Sequence, residues 1–338
     1  MLTAAASPMT DQNAPDSRTS AAAAVGPQPV LVATDGRETA TSAVLAGERA
    51  ALRLGASPMV FAAIEPEMFY GEMPVTRSVE LETERSALRE TLREHVERET
   101  GSTWPTEVDI GPAGQRIALA ATERDASLVV LGIGRHRMVD RLLGAETALH
   151  VLRGTERPVL AVGPDADGFF RRVVVAVDFS AASTRAAAIA CRLIAPGGTL
   201  SLVHVRPSIE WGDEIREPLA AARAREPLQR LAAALRHGTT GCEDCGTDTG
   251  RSDVTIGTAI LVGEPPAEVL DYAERVGADL VAVGTRGLAL VKRLLVGSVA
   301  TDVIRLTSER LSACSVLACA EPRLPVAEQL IRRLRGAA

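Results

Sequence analysis

Aromatic side chains are scarce in this 338-residue chain: five Phe, two Trp and two Tyr, 3% of the whole. A core must therefore be assembled from Ala, Val and Leu, and the 46% apolar content is enough to supply one. No apolar run reaches the ~18 residues of a membrane-crossing helix. The Ala-rich start lacks the basic region and continuous apolar run of a secretory signal. A basic surplus is missing too. Against 37 Lys and Arg stand 43 Asp and Glu, a net charge of −6, which argues against nonspecific nucleic-acid binding and leaves no basic face for a membrane surface. Five cysteines, an odd number in a long chain, fit the reduced thiols of a cytoplasmic protein better than a disulfide framework. No Ser-His-Asp order, His-x3-His pair, Gly-x-Ser-x-Gly elbow or P-loop Gly-Lys-Ser/Thr ending is present.

What is present centres on residues 279–300. Residues 280–283, Leu-Val-Ala-Val, form a short apolar run that reads as a buried strand. Gly284 and Gly287 break it. Gly297 and Ser298 follow after nine residues, and a helical pattern then runs to Leu306. The order is strand, glycine-rich loop, helix. Backbone N–H groups at such a helix start favour an anion, and glycines let the backbone approach a phosphate closely. Ser298 adds a hydroxyl donor, and Lys292 and Arg293 add positive charge. An ordinary strand–loop–helix turn is the alternative. The spacing Gly-x2-Gly-x9-Gly-Ser after a strand resembles the nucleotide-binding loop of the ATP-binding branch of the universal stress protein family.

The same alternation of elements occurs twice. Residues 1–28 are small, polar and Pro-containing, and are expected to be disordered. Strands are predicted at 30–34, 58–64, 106–110, 128–131 and 158–162, with helices at 39–54, 78–100, 113–124 and 146–153. The pattern then restarts with strands at 172–177, 199–205, within 254–262, at 280–283 and at 315–319. The helices of this second set are predicted at 181–195, 216–236, 266–276 and 299–306. Alternating strands and helices predict an α/β doubly wound fold, a parallel sheet with helices on both faces, repeated at about 145 residues. Val-Ala-Thr-Asp35 matches Val-Ala-Val-Asp178, and Ala-Ser-Leu-Val-Val-Leu-Gly132 matches Ala-Asp-Leu-Val-Ala-Val-Gly284. Pro-Val-Leu-Ala-Val162 matches Ser-Val-Leu-Ala-Cys319, and Gly111 and Gly263 fall where the family commonly ends its third strand. The chain thus resembles a tandem universal stress protein over residues 29–320. The resemblance implies two five-stranded Rossmann-like domains of strand order 3-2-1-4-5, at 29–165 and 170–322, with a C-terminal helical tail at 323–338. It also implies that the last strands, 158–162 and 315–319, pair within the chain as a pseudo-dimer, since the family pairs these edges across dimers.

In such sheets the ligand crevice lies at the carboxyl ends of strands where their order reverses. The resemblance implies that Asp178 and Val205 contact an adenosine, with Ala176 lining the pocket. Val283, Gly284, Arg286, Gly287, Gly297, Ser298, Val299 and Ala300 would then surround the ribose and phosphates of ATP. A carboxylate at Asp178 suits ribose hydroxyls or the adenine amine; a helix N-cap is its alternative role. A Mg²⁺ ion would arrive with the nucleotide, because no dedicated carboxylate cage is seen. The first half departs from the pattern. Gly132 to Gly144 spans twelve positions where Gly284 to Gly297 spans thirteen. Ala145 replaces Ser298, and Glu146 replaces Val299, which would set a carboxylate in the first helical turn. Arg135, His136, Arg137 and Arg141 read as a solvated basic loop, with attraction of an anion the alternative, and the first site is expected to be impaired, Asp35 remaining as a remnant or a cap. One nucleotide per chain, in the second half, is the expectation.

Cys242-Glu-Asp-Cys245 is half a zinc site without a second pair; a solvated insertion is the default reading, a redox pair the alternative. Cys191 reads as core, His204 as structural and His95 as solvated. The expected function is that of a cytoplasmic, ATP-binding stress-response protein with at most slow hydrolysis, acting through nucleotide-dependent contacts with a signalling partner. The alternatives are a nucleotide-independent dimerisation scaffold and, by fold analogy alone, an adenylyl-transfer enzyme.

Overall fold

The computed structural model describes residues 28–37, 40–65, 75–133, 140–206, 217–240, 251–285 and 297–321. Segment 1–28 apart from its last residue, tail 323–338, Cys242 and Cys245 lie outside them. The first half runs β1 (Val30–Ala33), α1 (Thr41–Leu54), β2 (Pro58–Ile64), α2 (Val75–Thr100), β3 (Thr106–Ile110), α3 (Ala113–Glu123), β4 (Leu128–Gly132), α4 (Asp140–Gly154), β5 (Val159–Val162). The second repeats it: β6 (Arg172–Ala176), α5 (Ala181–Leu193), β7 (Thr199–Arg206), α6 (Glu217–His237), β8 (Thr255–Val262), α7 (Pro265–Val276), β9 (Leu280–Gly284), α8 (Ser298–Arg310), β10 (Ser315–Cys319).

The central strands β1, β4, β5, β9 and β10 are nearly continuous Val, Leu and Ala. Side chains on both of their faces are buried, as a parallel sheet covered on both sides requires. Each half is parallel, and the order through the whole sheet is β3-β2-β1-β4-β5-β10-β9-β6-β7-β8. This is the expected 3-2-1-4-5 order twice, read in opposite directions from the middle. The halves join where β5 and β10 pair antiparallel, Leu160 opposite Leu317, which is the predicted pseudo-dimer edge.

Alternation along the strands divides the core into two layers. Val30, Val32, Leu160, Leu317 and Cys319 point to the side holding α1, α2, α5 and α6. Leu31, Val159, Ala161, Val316 and Ala318 point to the side holding α3, α4, α7 and α8. Both layers pass through the junction, so the halves share one core. Arg185 of α5 ties it further: buried to 5% exposure, it donates to the carbonyls of Glu156 in the first half (2.9 Å) and Ala320 beyond β10 (3.1 Å).

Three expectations change. His95 is buried, at 1% exposure, with Nδ1 2.7 Å from the Arg98 guanidinium; the charged residues beside it on α2 hide that its own position packs inward with Leu92 and Val96. Helix α4 starts at Asp140 and not at Glu146, and α8 continues to Arg310.

Candidate functional site

In the second half the strand order reverses between β6 and β9, which pair through Val175 and Ala282. Everything predicted for the site, so far as it is described, sits at the carboxyl ends of β6, β7 and β9 and the start of α8. After β6 the chain turns sharply through Asp178, Phe179 and Ser180. Phe179 adopts φ +66°, the left-handed region that side chains rarely enter. Asp178 Oδ1 accepts the Ser180 backbone N–H (3.0 Å) and hydroxyl (2.6 Å). The Ser180 Oγ in turn accepts the Ser183 N–H at 3.1 Å, capping α5. Asp178 is therefore not the cap; it orients the residue that is. Among the described residues its Oδ2 carries no hydrogen bond, and the group is half-buried.

Gly284 ends β9 against the first turn of α5. A Cβ there would lie 2.8 Å from the Ser183 backbone nitrogen and 3.1 Å from the Ala182 Cβ, so only glycine fits without displacement. Thr285, 3% exposed, pins the chain next: its N–H donates to the Cys319 carbonyl (2.8 Å), and its own carbonyl accepts the Gly297 N–H (2.5 Å). Both ends of the glycine loop are thus held together. Arg286, Gly287, Lys292 and Arg293 lie between them, outside the described residues. Helix α8 then starts with Gly297 at its N-cap position and no side-chain capping bond. The N–H groups of its first turn lack intrahelical partners, and Ser298 is exposed beside them.

Ala176 and Val205 are half-buried at the strand ends. Val283 and Ala300 are 1% and 0% exposed, so their side chains belong to the core and only their main chain can face a ligand. Sequence reasoning passed over Phe179 and Ser180. The signal was there: a rare aromatic directly after the strand-terminal carboxylate. The Phe179 ring lies 4.6 Å from that of His204, tilted by 40°. His204 Nδ1 donates to the Val177 carbonyl at 2.7 Å, which supports the structural role expected for it.

The first half keeps the i+2 backbone hydrogen bond of the Asp178 turn and differs elsewhere. Asp35 is exposed, accepts the Arg37 N–H (3.1 Å) and pairs with the Arg37 guanidinium (3.4 Å). A Cβ on Gly132 would meet nothing closer than Ala43 Cβ at 3.8 Å. Because α4 begins at Asp140, Ala145 is buried at 3% exposure and Glu146 lies inside the helix, not in its first turn. Glu146 instead reaches across the junction to Arg305 of α8, at 2.6 Å. The placement expected from the loop arithmetic is corrected accordingly: the helix gains a turn and a half before the position where a start was predicted. Arg135, His136 and Arg137 lie outside the described residues. Among the described residues no three His, Cys, Asp or Glu converge to hold a metal ion.

The profile of the universal stress protein family matches residues 27–163 and 169–318. A universal stress protein of Methanocaldococcus jannaschii is 29% identical over 161 residues, 46% of this chain and 86% of that protein. One from Bacillus subtilis is 32% identical over 82 residues, 24% of this chain and 52% of its own length. The crystal structure of a universal stress protein from Archaeoglobus fulgidus superimposes over 86% of this chain and 96% of its own, with a TM-score of 0.57 at 21% identity. That likeness is one of fold.

Proposed function

From the premise that the chain belongs to the universal stress protein family, we propose that it binds one ATP in its second half and changes its partner contacts with nucleotide state. The observation that carries this reading is the start of α8, without a side-chain cap and held by the Gly297–Thr285 hydrogen bond beside the carboxyl end of β9. Polyphosphate oxygens would accept the first-turn N–H groups and the Ser298 hydroxyl, in the favourable field of the helix terminus. Arg286 and Gly287 would border the same phosphates. Asp178 would take a ribose hydroxyl or the adenine amine on Oδ2, with Ala176, Val205 and the main chain of Val283 around the nucleoside. Phe179 offers its exposed ring as a stacking surface. Mg²⁺ would be held through the phosphates and water, since the described carboxylates form no cage. No general base is identified, and hydrolysis is expected to be slow. Cys191 and Cys314 are buried free thiols, which supports the proposed cytoplasmic location. Among the described residues no helix is long and apolar enough to cross a membrane.

Titration calorimetry with ATP tests the site. A stoichiometry near one per chain is expected. The double change Gly297→Ala, Ser298→Ala removes one donor and crowds the others. Hydrogen bonds to charged groups contribute about 1.5–3 kcal/mol each, so affinity should fall at least about tenfold. An unchanged affinity, or a stoichiometry of two, defeats the reading. The second reading, a scaffold that works without nucleotide, draws on the intrachain β5–β10 junction; failure of ATP to bind at cellular concentration would favour it.

A further inference from the structure

The two outer strands of the sheet are guarded differently. In a regular parallel ladder the N–H and C=O of one residue point to the same side. Gly111 N–H donates inward to the Ile64 carbonyl (2.9 Å), so Thr106, Val108 and Ile110 face outward from β3. Two of these are occupied: Arg85 Nε donates to the Val108 carbonyl (2.7 Å), and Asp109 Oδ1 accepts the Ile110 N–H (2.8 Å). Glu107 and Asp109 add charge along the strand, each paired with an arginine. Charges of this kind keep an edge from pairing.

On β8, Thr255 N–H donates inward to Gly198 (3.0 Å) and Gly263 N–H to Arg206 (2.9 Å). Ile256, Thr258, Ile260 and Val262 therefore face outward. Arg236 occupies the Ile256 carbonyl at 2.6 Å. Among the described residues, nothing bonds the outward groups of Thr258, Ile260 and Val262. The strand reads Thr-Ile-Gly-Thr-Ala-Ile-Leu-Val, with no charge and no proline, and Thr258 and Val262 are exposed.

We propose that residues 258–262 form a self-association edge, pairing antiparallel with the same segment of a second copy of this chain. The open stretch is symmetric about Ile260, bounded by Arg236 on one side and the turn at Gly263 on the other. A two-fold axis at Ile260 seats Thr258 opposite Val262 of the second copy, and each such pair exchanges both N–H···O bonds. The same register sets Glu264 of one copy alongside Ile256 of the other, where the Arg236 guanidinium stands, so opposite charges meet at both ends. Antiparallel edge pairing is already how this sheet joins its halves at β5 and β10. The contact is short, which makes a weak, concentration-dependent dimer the expected form.

Sedimentation velocity of the full chain over a concentration series reads the mass directly, and a shift from one chain toward two is expected. Thr258→Lys places a charge on an exposed edge position and should weaken association at least tenfold. Ile260→Pro removes an outward donor without touching the β7 ladder and should do the same; if its unfolding midpoint falls, Thr258→Lys alone decides. Thr106→Lys on β3 should leave the mass curve unchanged. A chain that stays monomeric throughout, a dimer indifferent to Thr258→Lys, or equal loss from Thr106→Lys overturns the proposal.

Discussion

Gly284 and Gly132 hold equivalent positions at the ends of β9 and β4, and the structure separates them sharply. At Gly284 an added methyl would lie 2.8 Å from the Ser183 nitrogen, well inside contact distance, against backbone that is itself held by the Ser180 cap. The strain cannot be relieved by swinging a flexible side chain; α5 and β9 must separate by several tenths of an ångström. Overpacking of this kind costs about 1–3 kcal/mol. At Gly132 the nearest atom is at 3.8 Å, an ordinary contact. Alanine there removes unfolded-state freedom and should be neutral or stabilising by up to about 1 kcal/mol. Urea unfolding of Gly284→Ala and Gly132→Ala, with m compared to confirm one transition, measures the difference directly. Calorimetry on the same proteins should show weaker ATP binding for Gly284→Ala alone. Equal midpoints, or a larger loss from Gly132→Ala, would refute the close-approach reasoning.

Phe179→Asn places a residue tolerant of the left-handed region at φ +66°; stability should hold or rise while ATP affinity falls several-fold, and unchanged affinity would remove the ring from the site. Burial raises the Cys191 thiol pKa and pushes that of Cys314 up to about 12. In a Cys242→Ser, Cys245→Ser background, the native protein should therefore not react with a thiol reagent at pH 8, while urea-unfolded chain reacts at three sulfurs; rapid native labelling would contradict the burial of Cys191 in α5 or of Cys314 and Cys319 at β10. Arg251 donates to the carbonyls of Cys191 (3.2 Å), Arg192 (3.4 Å) and Ile194 (3.2 Å) at the end of α5, so Arg251→Ala should cost about 1.5–3 kcal/mol in urea unfolding. The same guanidinium lowers the Asp253 pKa by hydrogen bonding. That contribution is present above the ordinary carboxylate value of about 3.9 and lost as pH falls through the lowered one. The variant should therefore show a shallower acid limb; an identical limb would show the pair to be inert.

Fold class was legible because the strands needed no context. Leu-Val-Ala-Val before Gly284 and Leu-Val-Val-Leu before Gly132 are buried on both faces, and an apolar run reports that directly. The junction was legible only through resemblance, since nothing in Val-Leu-Ala-Val says which neighbour it takes. Helix starts were harder. Matching Gly144-Ala145-Glu146 to Gly297-Ser298-Val299 set the helix start at Glu146, yet the backbone is helical from Asp140. His95 was misjudged because one inward position among charged neighbours looks solvated. The role of Asp178 lay beyond sequence because Asp and Ser two apart can each cap a helix; only the hydrogen-bond directions show Ser180 doing it.

The β5–β10 seam also bears on how such a chain can change over generations. In a symmetric dimer each substitution is made twice, so a mutation that trades ligand contacts for a better interface loses both sites together. Here one copy of the edge is encoded at residues 159–162 and the other at 315–319, and a change in one leaves its counterpart intact. Glu146 illustrates the freedom: it contacts Arg305 of the opposite half, and no symmetry obliges Val299 at the matching position to do likewise. Covalent linkage thus leaves each half of the duplicated fold open to changes of its own, while the shared ten-stranded sheet joins the two.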